Sequence, residues 1–301
     1  MKVASIILIS TLFLAFFSCV SAAEIGQWWS ELGAPPLNST EDSPLISSYP
    51  DGLTIDWQRK TVMTAGRAAI TGPMTVENRG KIKKLAENQA LENLIDSIGM
   101  VRIDGFTRLS DLYSKNLTLS DDIAKLIRKT YRVVYEKVYR NENILEITVE
   151  FDLAGKGGLS GTLMPKLLAG LPSPSSSPSP SPTPSPESFT GLVIDASGLG
   201  VEGGLSPKIY SKDGREIFSL PRNTDKSALI NYGVADYAPV LDSSSREAAR
   251  AGENPLSVTA VSKLKSPYNC DIVISSEDAD KVIKADASSN FLRRLKVVIL
   301  L

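Results

Sequence analysis

The chain has 301 residues, 42% hydrophobic and 22% charged, with 33 Lys and Arg against 34 Asp and Glu, a balance that excludes wholesale disorder and suits one large or two medium domains. A formal charge of −1 argues against a nucleic-acid partner held through phosphate contacts. Histidine is absent and the only cysteines are Cys19 and Cys270, so no Ser-His-Asp triad, Cys-His dyad or imidazole-bound metal can form within the chain.

Residues 1–22 read as a secretory signal peptide. Met1-Lys2 is a short basic start, Ile6 to Phe17 is apolar apart from Ser10 and Thr11, and Val20-Ser21-Ala22 ends in the small-x-small pattern of a cleavage site. The apolar stretch is shorter than the ~20 residues of a permanent membrane helix. Two other fates are open: retention as an anchor, or acylation at Cys19, which follows Phe16-Phe17-Ser18 in an imperfect lipobox. Cys19 is therefore a candidate lipidation site, and the membrane is expected as a partner only through it or an uncleaved signal. Cleavage leaves Cys270 as the only thiol and rules out an internal disulfide.

Residues 23–50 are expected to be a partly ordered leader with Trp28-Trp29 and Pro35-Pro36. Residues 51–153 then carry the first domain. Leu53, Ile55 and Trp57 alternate with polar residues, and Val62-Met63-Thr64 continues a strand or hairpin up to the break at Gly66. Ile82, Leu85, Ala86, Ala90, Leu91, Leu94, Ile95 and Ile98 recur at helical spacing before Gly99, which predicts a long amphipathic helix. A short strand is expected over Met100 to Ile103. Ser120-Asp121-Asp122 predicts the N-cap and acidic first turn of a short helix through Ile127. Tyr131, Val133 and Tyr135, then Ile147, Val149 and Phe151, alternate about Asn141-Glu142-Asn143 as a β-hairpin.

The run Ala86-Glu87-Asn88-Gln89-Ala90-Leu91-Glu92-Asn93-Leu94-Ile95, with a closing hairpin ending in Ile147-Thr148-Val149-Glu150-Phe151, resembles the domain of the twenty-kilodalton bacterial outer-membrane lipoprotein family. It is also similar to the N-terminal domain of flagellar assembly protein T. The resemblance covers about one third of the chain. It implies an exported, non-catalytic module, periplasmic or outer-membrane associated, whose partners are cell-envelope proteins or a second copy of itself.

Residues 154–188 are expected to be a flexible segment. Gly155 to Gly161 reads as a flexible exit, and Pro172 to Pro186 holds seven Pro, seven Ser and one Thr, a semi-rigid spacer of about 45 Å at ~3.1 Å per residue. Residues 189–301 carry the second domain, similar to the tail of larger envelope proteins bearing the same lipoprotein-like module. Gly198-Leu199-Gly200-Val201-Glu202-Gly203 spells G-x-G-x-x-G, but Pro207 falls where a dinucleotide-binding helix would be under way. The expected role is a glycine-rich connection, and no cofactor or metal is expected. Asp213-Gly214 predicts a hairpin turn, Ser276-Glu277-Asp278-Ala279 a helix start, and Leu295 to Leu301 a strand in a sheet interior.

The expected fold class is α+β: two small domains, each a mostly antiparallel sheet packed with one or two helices, joined by a Pro/Ser linker. The expected function is an exported, non-catalytic cell-envelope protein acting as a structural, assembly or binding module in an outer-membrane or flagellar-type assembly. The alternative is a secreted carboxylate-dependent hydrolase, for which Asp121-Asp122, Asp278 with Asp280, and Asp195 are the candidate acids. At helix starts such acids favour the helix dipole, so a structural role is the simpler reading.

Overall fold

The computed structural model describes residues 43, 45–114, 118–170, 189–220 and 224–301. The signal peptide, Cys19, Trp28-Trp29 and the Pro/Ser-rich segment lie outside the described residues. The N-terminal half runs β1 (Ile46–Ser48), β2 (Thr54–Asp56), β3 (Thr61–Ala69), helix α1 (Val76–Ser97), a 3-10 turn at Ile98–Met100, and the small hairpin β4 (Arg102–Asp104) and β5 (Thr107–Arg108). It continues through α2 (Ser110–Tyr113), α3 (Leu119–Thr130), β6 (Arg132–Tyr139), β7 (Ile144–Asp152) and α4 (Leu159–Gly170). Strands β1-β2-β3-β7-β6 form one sheet, antiparallel throughout.

Helix α1 lies against that sheet because small residues meet where the two cross. At Gly66 an added Cβ would stand 2.2 Å from both Ala86 O and Ala90 N, so glycine and the alanines set the close approach. Thr64 Oγ1 donates to Ala90 O at 2.8 Å and Asn93 Nδ2 to Ala65 O at 2.8 Å, pinning helix to strand. Ile82, Ala86, Ala90, Leu91 and Leu94 are buried, as the helical spacing predicts. Leu85 departs from that stripe and is 63% exposed, because the helix packs on a narrow row of small residues. Helix α3 begins at Leu119 after Thr118, without a side-chain cap; Ser120 falls inside the first turn. The other face of the sheet points away from α1. Its row Glu146, Thr148 and Glu150 is buried, roofed by Arg67, Arg59 and Arg132, which reach the two glutamates at 2.6, 3.1 and 2.8 Å.

At the ends of this half one expectation changes, that of a flexible exit after residue 153. Part of the expected leader is ordered: β1 extends the sheet by pairing with β2, and Leu45 is buried. The expected flexible exit becomes α4, with Leu159, Leu163 and Met164 fully buried and Ser160 Oγ donating to Leu153 O at 2.8 Å. The glycines before α4 shape its entry turn, with Gly155 at φ +92°, and so precede a packed helix.

The C-terminal half runs β8 (Leu192–Asp195), β9 (Ile209–Ser211), β10 (Glu216–Phe218), α5 (Lys226–Tyr232), β11 (Asp236–Ala238), α6 (Arg246–Ala251), β12 (Leu256–Lys263), β13 (Ile272–Ile274), α7 (Ser276–Ser289) and β14 (Val297–Leu300). Its sheet has the order β10-β9-β13-β12-β8-β14-β11. Both halves are thus α+β. The pairs β9–β10 and β12–β13 are antiparallel, while β9–β13, β8–β12, β8–β14 and β11–β14 are parallel, so this sheet is more mixed than a mostly antiparallel one. The physical reason is connection length: a short turn of residues 212–215, containing Asp213-Gly214, reverses the chain between β9 and β10, whereas longer connections carrying helices let strands return in the same direction. Strand β14 lies between β8 and β11, which matches its uninterrupted apolar sequence. Ser275 caps α7 by accepting from Asp278 N at 3.0 Å.

Candidate functional site at the seam between the halves

The acids singled out by sequence lie on separate elements, and Asp122, Asp195, Asp278 and Asp280 are engaged. Asp122, in the first turn of α3, meets Lys166 of α4 at 2.5 Å, and Asp121 precedes it in the same turn. Asp195 accepts from Ser197 N at 3.0 Å. Asp278 is bonded to the Ser275 hydroxyl and held below the usual carboxylate range by it, and Asp280 pairs with Arg215 at 2.6 Å. Among the described residues no group of three or more His, Cys, Asp or Glu side chains is placed to hold a metal ion, and no helix is long and apolar enough to cross a membrane.

The chemistry of the molecule is concentrated where the two halves meet. Trp57, at the end of β2, is 1% exposed although it is carried on a turn, because its indole lies on the backbone of Gly203. A Cβ at that glycine would sit 2.2 Å from Trp57 Cγ. Tyr237 of β11 closes the other side, edge to face, with ring centroids 6.1 Å apart. The indole N–H donates to Ser47 Oγ at 2.9 Å, so its one polar group is satisfied.

Arg102 of β4 binds the seam together. Its guanidinium lies 5.6 Å from the Trp57 ring, donates to Gly203 O at 2.9 Å and Ser47 Oγ at 2.5 Å, and pairs with Glu202 at 2.5 Å. Backbone bonds run alongside: Leu205 N to Arg102 O at 3.0 Å and Ser206 N to Ile103 O at 2.7 Å. Tyr237 Oη donates to Gly204 O at 2.8 Å and accepts from Gly204 N at 3.0 Å. Burial pushes the Tyr237 phenol well above its ordinary value, so it stays protonated and able to make both bonds. The G-x-G-x-x-G run is therefore a connection, as expected, and no helix follows it. Gly198 and Gly200 take φ +73° and +65°, and Gly203 supplies the bare backbone for Trp57.

Beside the tryptophan, Lys60 crosses the seam. Its Nζ meets the carboxylate of Asp236 and the Tyr232 carbonyl, and donates to Ala235 O at 2.8 Å. Burial, opposed only in part by Asp236, lowers its pKa to about 8. Arg250 reaches the same carboxylate at 2.9 Å. Burial alone would raise Asp236, but Lys60 and Arg250 outweigh it and hold the carboxyl below its ordinary range. A cavity lined by Trp57, Lys60, Leu153, Ser160, Gly204 and Tyr237 adjoins these groups and has room for about one water molecule.

A second acidic pair, absent from the sequence candidates, lies on the same seam. Asp104 of β4 and Asp271, just before β13, are both buried. Asp104 pairs with Lys208 at 2.9 Å, and Asp271 accepts from Lys208 N at 3.0 Å. Burial, with Asp104 adding repulsion, raises the Asp271 carboxyl. Gly105 belongs to this contact, since a Cβ there would stand 2.6 Å from Asp271 Oδ2. Neighbouring Cys270 is fully buried, with Sγ 3.4 Å from Gly203 O. Burial pushes its thiol up to about 12, which makes it a small core residue and not a thiolate nucleophile. Sequence could have signalled Asp271 only through its place beside this cysteine; its approach to Asp104 has no local signature.

Residues 191–301 match the family described as the second domain of Treponema pallidum Tp0624. No curated protein matches the chain. The C-terminal half, which builds the receiving side of the seam, is thus similar to that domain.

Proposed function

We propose that the protein is an exported, non-catalytic component of the cell envelope, acting as a structural, assembly or binding module in an outer-membrane or flagellar-type assembly. The observation that carries this reading is the use made of its polar chemistry. The sequence candidates Asp122, Asp195, Asp278 and Asp280 are committed to ion pairs, a turn and a helix start, and the buried cations Lys60 and Arg102 tie one half of the chain to the other. The apolar export-type N-terminus and the lipoprotein-like helix and hairpin supply the envelope part of the proposal. Fractionating cells that express the full chain tests it. The expected result is protein in the periplasmic or outer-membrane fraction, with a mature N-terminus near Ala23 or a lipid on Cys19. Cytoplasmic protein with an intact Met1 end would contradict it.

One observation favours the hydrolase alternative: Asp104 and Asp271 come from different halves, and one carboxyl is raised toward the protonated state, the division of labour that carboxylate hydrolysis uses. On the envelope reading, Asp271→Asn changes stability and no glycoside- or ester-cleaving activity is lost. A hydrolytic activity abolished by both Asp104→Asn and Asp271→Asn would reverse that choice.

A further inference from the structure

The side chain of Lys60 belongs to the N-terminal half, yet every group recorded around its nitrogen belongs to the C-terminal half. A lysine ammonium has three N–H donors and no acceptor. The socket offers three acceptors: the Tyr232 carbonyl, the Ala235 carbonyl and the Asp236 carboxylate. Two of these acceptors, the Tyr232 carbonyl and the Asp236 carboxylate, are also held by Arg250. Arg250 donates to Tyr232 O at 3.0 Å, to Gly233 O and Val234 O at 2.8 Å each, and to Leu295 O at 2.7 Å, and it pairs with Asp236 at 2.9 Å. The loop from residue 232 to 236 is therefore fastened to its own half at Tyr232, Gly233, Val234 and Asp236 by an arginine that does not depend on the lysine. Gly233, at φ +75°, supplies the left-handed backbone that this loop needs beside Lys60.

The lysine arrives on a specific carrier. Trp57 is seated on Gly203, Gln58 O accepts from Arg246 at 2.6 Å, and Lys60 itself takes φ 56°. These two contacts and the bend at Lys60 make the turn a plug, with an aromatic anchor, a backbone clamp and an ammonium tip.

We propose that the carbonyls of Tyr232 and Ala235, with the Asp236 carboxylate, form a recognition site for a primary ammonium on a short alkyl stem, filled in this chain by its own Lys60. The C-terminal half is a lysine-reading module, and the turn from residue 57 to residue 60 is its built-in ligand. This goes beyond the envelope reading and stands whether or not the protein is exported.

The test uses the full chain carrying Lys60→Gly, which removes the amine and retains a residue that tolerates positive φ. Thermal unfolding is followed at pH 7 with propylammonium chloride or, at equal concentration, tetramethylammonium chloride, which has no N–H donor. Propylammonium well above its dissociation constant is expected to raise Tm by roughly 2–4 °C more than tetramethylammonium. That increment is expected to be absent in the wild type, whose socket is full, and in Lys60→Gly combined with Asp236→Asn. Equal shifts from the two salts, or an increment that survives Asp236→Asn, would overturn the proposal. If Lys60→Gly does not fold unaided, refolding yield replaces Tm: recovery with propylammonium alone supports the site, and equal yields in both salts refute it.

Discussion

Buried carboxylates meet cations in two regions of this molecule, and the surroundings decide what each meeting is worth. On the open face of the N-terminal sheet, Glu146 and Glu150 lie under Arg67, Arg59 and Arg132, whose side chains remain 48–62% exposed. Water still solvates the arginines, and each glutamate shares its charge with a flexible, replaceable roof. At the seam, Asp236 meets Lys60 and Arg250, all three side chains being at most 9% exposed. No solvent compensates there for a lost partner, so deleting one group leaves the others charged and enclosed. The same pairing is tolerant surface chemistry in one place and a structural joint in the other.

The largest expected effects come from the apolar part of the seam. Trp57→Ala should destabilise the protein by about 3–5 kcal/mol in denaturant titration, the cost of a large buried cavity. Gly203→Ala should have an effect of similar size for the opposite reason, because its methyl overlaps a rigid indole held by Tyr237 and Ser47. If Gly203→Ala were neutral, the indole would not be seated on the backbone as described.

Next in size is Asp236→Asn, expected to cost about 3 kcal/mol by stranding Lys60 and Arg250. The sign of its pH dependence follows from the lowered Asp236 carboxyl. The contribution of Asp236 is fully present above the unfolded value of about 3.9 and is lost as pH falls through the lower folded value. The stability gap between wild type and Asp236→Asn should therefore close in acid, below about pH 4. Lys60 behaves differently on the alkaline side. Its folded pKa of about 8 lies below the unfolded value of about 10.4, so between these the unfolded chain binds the proton more tightly and the residue's contribution rises with pH. Chemical denaturation of wild type and Lys60→Met from pH 7 to 10 checks the direction, and a gap that narrows would contradict it.

Smaller effects sharpen the contrast from the other side. Tyr131→Phe removes the hydroxyl that bonds Glu87 and holds its carboxyl below the ordinary range. It should cost about 1 kcal/mol near neutral pH and progressively less in acid, as Glu87 protonates. Arg132→Ala removes contacts to Glu150 and Asp152 at 2.8 and 2.7 Å, yet it should cost less than about 1 kcal/mol and respond to salt, because the arginine is half exposed. A loss as large as that of Asp236→Asn would erase the distinction between the two regions.

The parts of the fold legible in sequence are those whose cause is local. The spacing from Ile82 to Ile98 marks α1, the alternation around Asn143 marks the β6–β7 hairpin, and Asp213-Gly214 marks a two-strand turn. Parallel pairing was not legible, since nothing in Val297–Leu300 states that its neighbours are β8 and β11. The seam was hidden for the same reason. Gly203 was visible as the last glycine of a familiar spelling, but its use depends on Trp57, far away in the chain. Nothing in the residues around Lys60 or Asp236 announces their meeting, and only the folded chain places them together.

The central claim is that the seam makes the two halves one cooperative structure. Differential scanning calorimetry of the wild type and Gly203→Ala tests it most directly. The expected result is a single wild-type transition with calorimetric and van't Hoff enthalpies equal, separating into two transitions when the alanine methyl displaces Trp57. Two independent transitions in the wild type, unchanged by Gly203→Ala, would contradict it.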